Sequence, residues 1–177
     1  MSAPRHALPT VHVRRGWCPS LMRPMPTGDG LLARVHPPLG ILTPAQARAV
    51  AEGARRFGNG HIDLTGRANL QVRGVREATH VPLAQMLEAA GLGDVRADGG
   101  PQRLTLTGPL SGHDPAETID VLRLARAIEA AGRGLSDLPA KTLVSVEGRP
   151  GAAAPDADVS VRAASGAAAA TRCRPMR

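Results

Sequence analysis

Two short alternating runs, 61–67 and 69–75, carry most of the chemistry this chain could do. In the first, Ile62 and Leu64 alternate with Asp63, Thr65 and Arg67. In the second, Leu70 and Val72 alternate with Asn69, Gln71 and Arg73. If the apolar set packs inward, two arginines, a carboxamide pair and a hydroxyl project from the other side of one strand pair. That is an acceptor for carboxylates or other oxyanions, because a guanidinium fork matches them in bidentate fashion. Arg34, in an alternating run over 30–36, would join it. Arg103 and Lys141 stand near the starts of two further expected strands. Lys141 is the only lysine among 22 Lys and Arg residues, so a compact ammonium stands at one place in a chain that otherwise uses arginine. The same alternation also describes a solvated polar sheet face, and on the residues alone both readings stand.

Other chemistries find less support. Cys18 and Cys173 form no CxxC pair, and the chain cannot by itself offer four thiolates to an iron–sulfur cluster. The six histidines include no HxxxH or HExxH pair, so no metal site is expected. Cys18 reads as an inert thiol. Asp114 and Glu117 precede an apolar helical pattern and read as a capping box rather than a catalytic carboxylate pair.

The elements that would position these residues follow from local signals. Thr43-Pro44 opens a helix, with Ala47, Val50, Ala51, Ala54 and Phe57 on one face and Gly58-Asn59-Gly60 as its stop. A turn around Gly66–Ala68 joins the two alternating runs. A second helix is expected over 79–90, buried through Leu83, Met86, Leu87 and Ala90. A strand follows at 103–107, a third helix over 114–131, and a last short strand at 143–146. The order β-α-β-β-α-β matches the split β-α-β, ferredoxin-like pattern. The expected fold class is therefore α+β. Its divisions are an extended N-terminal arm (1–28), the half-domain (29–100), the start of a following α/β unit (101–147), and a low-complexity disordered tail (148–177).

Composition narrows the partners. Hydrophobic residues make up 42% of the chain, enough for a core without wholesale disorder. Formal net charge is +7, which points to an anionic partner. Trp17 and Phe57 are the only aromatic residues, so base stacking on an aromatic platform is excluded and nucleic acid is not expected as partner. No run of 18 apolar residues exists and the N-terminus lacks the apolar stretch of a secretory signal, so a cytoplasmic protein with no membrane contact is expected. Ten alanines between 151 and 177 motivate the tail.

The segments RRGWCPSLMRPMPTGDGLLARV (14–35), GILTPAQARAVAEGARRFGNGHIDLTGRANLQVRGV (40–75), RLTLTGPLSGHDPAETIDV (103–121) and LPAK (138–141) together resemble the N-terminal half-domain of precorrin-3B synthases. These belong to the nitrite/sulfite reductase superfamily of sirohaem and iron–sulfur proteins. The resemblance implies that Arg67, Arg103 and Lys141 take catalytic places in an anion pocket, and that Asn69, Gln71 and Arg73 lie in a cofactor-binding motif. It implies sirohaem and a [4Fe–4S] cluster for the full-length family, with the cluster ligands in a second half absent here. It also implies an anionic tetrapyrrole (a precorrin) as substrate, an electron donor, and an oxygen-dependent hydroxylation in cobalamin biosynthesis. A sulfite- or nitrite-reducing relative and a non-catalytic basic binding module are the alternatives. Thr142 stands where relatives carry an aromatic residue, and the likeness fades near residue 147. The chain is therefore expected to be a fragment or truncated product, inactive by itself.

Overall fold

The computed structural model describes residues 18–153, 155–164 and 169–173. Residues 1–17 of the expected arm, and 154, 165–168 and 174–177 of the expected tail, lie outside the described residues. The elements in chain order are β1 (Met25–Thr27), β2 (Gly30–Val35), α1 (Pro44–Phe57), β3 (Ile62–Leu64), β4 (Leu70–Val75) and α2 (Glu77–Ala89), then β5 (Thr105–Thr107), α3 (Val121–Arg133), β6 (Val144–Glu147), β7 (Val159–Ala163) and β8 (Ala169–Cys173). Two four-stranded sheets result, ordered β1-β2-β4-β3 and β5-β6-β7-β8.

The first sheet is antiparallel throughout. Leu31, Ala33 and Val35 of β2 and Leu70, Val72 and Val75 of β4 pack with Val50 and Ala54 of α1 and Leu83, Ala84 and Leu87 of α2. α1 begins as its sequence requires: Thr43 accepts from the Gln46 amide, Gln46 returns a bond to the Thr43 amide, and Pro44 takes a first-turn place whose N–H would be orphaned anyway. β4 changes its inward face at Gly74. Two residues there, Arg73 and Gly74, oppose Leu32 alone, and Gly74 adopts φ +64, so both Val72 and Val75 reach the core.

Four expectations are corrected. Leu64 was assigned to the core with Ile62, but it is 80% exposed, because β3 is an edge strand that ends there and no helix lies over it. The strand near 103–107 does not complete the first sheet. β1 fills that edge, and so the last residues of the expected arm are an ordered strand, while β5 founds the second sheet by pairing in parallel with β6. The third helix starts at Val121 rather than 114. Asp120 caps it by accepting from the Arg123 amide, whereas Asp114 accepts from the Ala116 amide in a turn. Finally, residues 159–163 of the expected tail form β7. Val159-Ser160-Val161 repeats the tripeptide Val144-Ser145-Val146 and pairs with it in register, and the two serine hydroxyls bond at 2.9 Å. Val159 and Val161 pack on the second core, formed by Leu104, Val121, Ala125, Val144 and Val146.

That second core also includes Leu39, from the 3-10 turn Pro38–Gly40 that follows β2. The first unit thus inserts a side chain into the second. Asp94 closes the junction from the other end, accepting from the Ser20 hydroxyl (2.5 Å), the Leu21 amide (3.0 Å) and the Met22 amide (2.8 Å).

The end of α1 lies against β4 so closely that a Cβ at Gly58 would stand 2.4 Å from the Arg73 carbonyl oxygen. Gly66, in the β3–β4 turn, faces open space. Gly58→Ala should therefore destabilise the chain by about 1–3 kcal/mol in urea unfolding, and Gly66→Ala should stay within about 0.5 kcal/mol. Equal midpoints for the two variants would contradict the packing of α1 on β4.

Candidate anion-binding site

A cleft of about 280 Å³ opens between the helix-free side of the first sheet and two segments of the second unit. Arg34 and His36 come from β2 and its extension, Arg67 and Asn69 from the β3–β4 turn. Arg96, Gln102 and Arg103 come from the linker after α2, and Lys141 from the segment before β6. The turn is held by its own polar atoms. The Thr65 amide donates to the Asn69 carbonyl, and the Thr65 hydroxyl accepts from the Arg67 and Asn69 amides. Ala68 takes φ +52, a conformation unusual for a residue with a Cβ.

Arg103 is the buried cation of the cleft, 8% exposed. Its Nη2 donates to the Asn69 Oδ1 at 3.1 Å, while its Nη1 is buried with no partner among the described residues. Burial pushes the guanidinium below its ordinary pKa, Glu129 opposes this, and Arg67 adds to it. Arg67 and Lys141 are exposed at the rim. Arg67 Nη1 donates to the Lys141 carbonyl at 3.1 Å, which ties the first unit's turn to the second unit's strand entry. Arg34 Nε and His36 Nδ1 are also buried without partners among the described residues.

Other cations near the cleft are neutralised. Arg96 is bidentate on Asp98 and donates to the Gly132 and Leu135 carbonyls, and the Arg96 hydrogen bond holds the Asp98 carboxyl well below the usual range. Arg73 is bidentate on Asp29 at 2.8 and 3.1 Å, with Asp63 3.7 Å away. The Thr27 hydroxyl and then Arg73 lower Asp29 to about 2. Among the described residues, no carboxylate forms an ion pair with Arg34, Arg67, Arg103 or Lys141. Four positive groups around one small cleft lack an ion-pair partner among the described residues, an arrangement that favours an anion.

Of the residues expected from sequence, the structure brings Arg67, Asn69, Arg103 and Lys141 to one cleft. Gln71 and Arg73 do not line it, and Arg73 is committed to Asp29. The sequence reading gave His36, Gly40 and Arg96 no role. His36 had a signal available, since it lies two residues from Arg34 on the same side of β2.

Residues 23–90 match the nitrite/sulfite reductase ferredoxin-like half domain. Over that segment the chain is similar to the half domain. A precorrin-3B synthase from a Sinorhizobium species is 38% identical over 159 residues, 86% of this chain and 33% of the relative. A ferredoxin–nitrite reductase from Leptolyngbya laminosa is 34% identical over 143 residues, 76% of this chain and 28% of the relative. The structure of the Mycobacterium tuberculosis NirA protein shares the fold, with TM-score 0.59 and 24% identity over 75% of this chain and 25% of that one. The chain thus spans about a third or less of the length of these relatives. Among the described residues no helix is long and apolar enough to cross a membrane.

The donors of the cleft fit the carboxylate arm of a tetrapyrrole such as sirohaem. Its volume, near the lower end of roughly 300–1,000 Å³ typical for drug-sized ligands, suits one arm or a small oxyanion rather than a macrocycle. A [4Fe–4S] cluster does not fit this chain: it has two cysteines, and the described residues hold no group of three or more His, Cys, Asp or Glu side chains placed for a metal.

A Cβ at Gly40, where φ is +74, would stand 2.7 Å from Arg103 Nη1. Gly40→Ala should displace that guanidinium and weaken oxyanion binding by roughly 10-fold, measured by calorimetry with sulfate. Unchanged affinity would contradict a role for Nη1. Burial, then Arg34, lowers His36 to about 4. An unfolded His36 takes its proton near pH 6.5 and the folded one resists it. Stability is therefore full above about 6.5 and falls by no more than about 3 kcal/mol as pH drops toward 4. Urea unfolding across that window should show the loss, and His36→Gln should flatten it.

Proposed function

We propose that this chain forms the oxyanion-recognition part of a precorrin-3B synthase-like oxidoreductase of cobalamin biosynthesis, with an anionic tetrapyrrole as substrate. The observation that carries this reading is the cleft itself, where Arg34, Arg67, Arg103 and Lys141 share one small volume and none forms an ion pair among the described residues. Tetrapyrrole precursors carry carboxylate arms, and guanidinium donors hold such arms in fixed geometry. The 38% identity to a precorrin-3B synthase supports the substrate class.

In this reading Arg103, anchored by Asn69, supplies a preorganised donor that needs no reorientation when charge arrives. Arg67 and Lys141 at the rim attract and orient the anion. Sirohaem when bound would supply redox-active iron, and Asn69 and the rim cations are the residues placed to hold one of its carboxylates. Gln71 stands on β4 beside this site, and Arg73 is committed to Asp29 away from the cleft. The reading calls for an electron donor and for a cluster-bearing second half as partners, so the chain is inactive by itself.

A second reading, a nitrite- or sulfite-reducing relative, draws on the size of the cleft, which suits a three-atom or four-atom oxyanion, and on the 34% identity to a ferredoxin–nitrite reductase. Titration of the chain with uroporphyrin, followed by its absorbance, and with nitrite, followed by calorimetry, separates the two. The tetrapyrrole reading expects porphyrin binding that Arg103→Ala weakens roughly 10–100-fold. Arg73→Ala should leave it unchanged, and Arg67→Lys should lose only part of what Arg67→Ala loses. Porphyrin binding indifferent to Arg103 and Arg67 would overturn it.

A further inference from the structure

His36 holds a place in the cleft that anion attraction by arginine and lysine does not explain. Its Nδ1 is one of three buried nitrogens there without a partner, beside Arg34 Nε and Arg103 Nη1. A neutral imidazole gives an arriving anion at most one donor, whereas the protonated ring gives two. We propose that an oxyanion seated on Arg34 and Arg103 draws one proton from solvent onto His36, so that this cleft binds its anion together with a proton. The inference rests on the anion-binding reading above and adds a second cargo to it.

The charges facing His36 decide its state. Arg34 acts from its own strand and Arg103 from the linker after α2, both opposing a proton. Asp94 favours one, but its oxygens already accept from Ser20, Leu21 and Met22. Arg23, Arg67, Arg96 and Lys141 add positive charge around the cleft, and Cys18 lines it beside them. Without an anion the imidazole is held at about 4, through burial and then Arg34. An anion between the two arginines offsets their repulsion and accepts the new N–H, so both main causes of the depression weaken together. The balance is simple: neutral imidazole, oxyanion and one proton become imidazolium and the same oxyanion, and no bond of the anion breaks.

The test uses the whole chain and sulfate, which has no titrating proton in this range. Calorimetry in buffers of different ionisation enthalpy counts the protons taken up. Proton NMR follows the His36 ring, assigned with His36→Gln, at ionic strength matched with chloride. We expect a His36 pKa at least one unit higher with sulfate, uptake of at least about half a proton near about pH 4.5, and sulfate affinity that rises as pH falls. His36→Gln should still bind sulfate, without proton uptake or pH dependence. Sulfate binding with no proton uptake and an unmoved His36 resonance would overturn this inference and leave the anion reading standing. No sulfate binding at any pH would overturn both.

Discussion

The rest of the cleft is arranged around one incompletely bonded cation. Arg103 is nearly sealed from water, one of its terminal nitrogens is held by Asn69, and the other meets no acceptor. A buried charge costs several kcal/mol unless paired, and a single neutral amide oxygen offsets only part of that. The neighbouring structure accommodates the cation instead of neutralising it. Gly40 leaves space for Nη1 by having no Cβ, and the β3–β4 turn is internally bonded so that Asn69 presents its oxygen to Nη2. Glu129 lies near and opposes the depression of Arg103 without pairing with it; its Oε1 accepts from the Leu104 and Thr105 amides and the Thr105 hydroxyl, tying α3 to β5. An anion in the cleft would complete a set of bonds that the protein leaves open.

Such a cation must also be kept in place, and the two units are joined where it sits. Leu39 enters the second core immediately before Gly40, and Glu129 grips the two residues that follow Arg103. Asp94 gathers the N-terminal segment, and Arg96 binds Asp98 together with two carbonyls at the end of α3. The charged residues thus divide by task. Arg73 and Arg96 are matched with carboxylates and hold the architecture, while Arg34, Arg67, Arg103 and Lys141 form no ion pair among the described residues. Arg73→Ala and Arg103→Ala should therefore fail in different ways, the first through folding and the second through binding.

Local chemistry made much of this legible before any coordinates. Thr43-Pro44 marked the start of α1, and the turn at Gly66–Ala68 and the inward set Leu70 and Val72 followed from period-two alternation. The errors have physical causes. Leu64 looked like core because alternation cannot tell an edge strand from a covered one. Asp114 and Asp120 both precede helical sequence, and only tertiary packing selects the one that caps. β7 was hidden by alanine-rich surroundings, although its Val-Ser-Val copy of β6 was in plain view. Arg67, Arg103 and Lys141 come from distant segments, and their juxtaposition was expected from the strand pattern together with the family resemblance. Periodicity alone left a solvated face equally open. The spacing of His36 from Arg34 placed it on the same side of β2, but its burial depends on segments that the spacing does not show.

The most direct measurement is a crystal structure of the chain grown with selenate, whose selenium locates the anion by anomalous scattering. The account predicts a selenate in the cleft within hydrogen-bond distance of Arg103 Nη1, with Arg34 or Arg67 as a second donor. Selenate bound elsewhere while Arg103 turns onto Glu129 would contradict it, since the buried cation would then have its counter-charge within the protein.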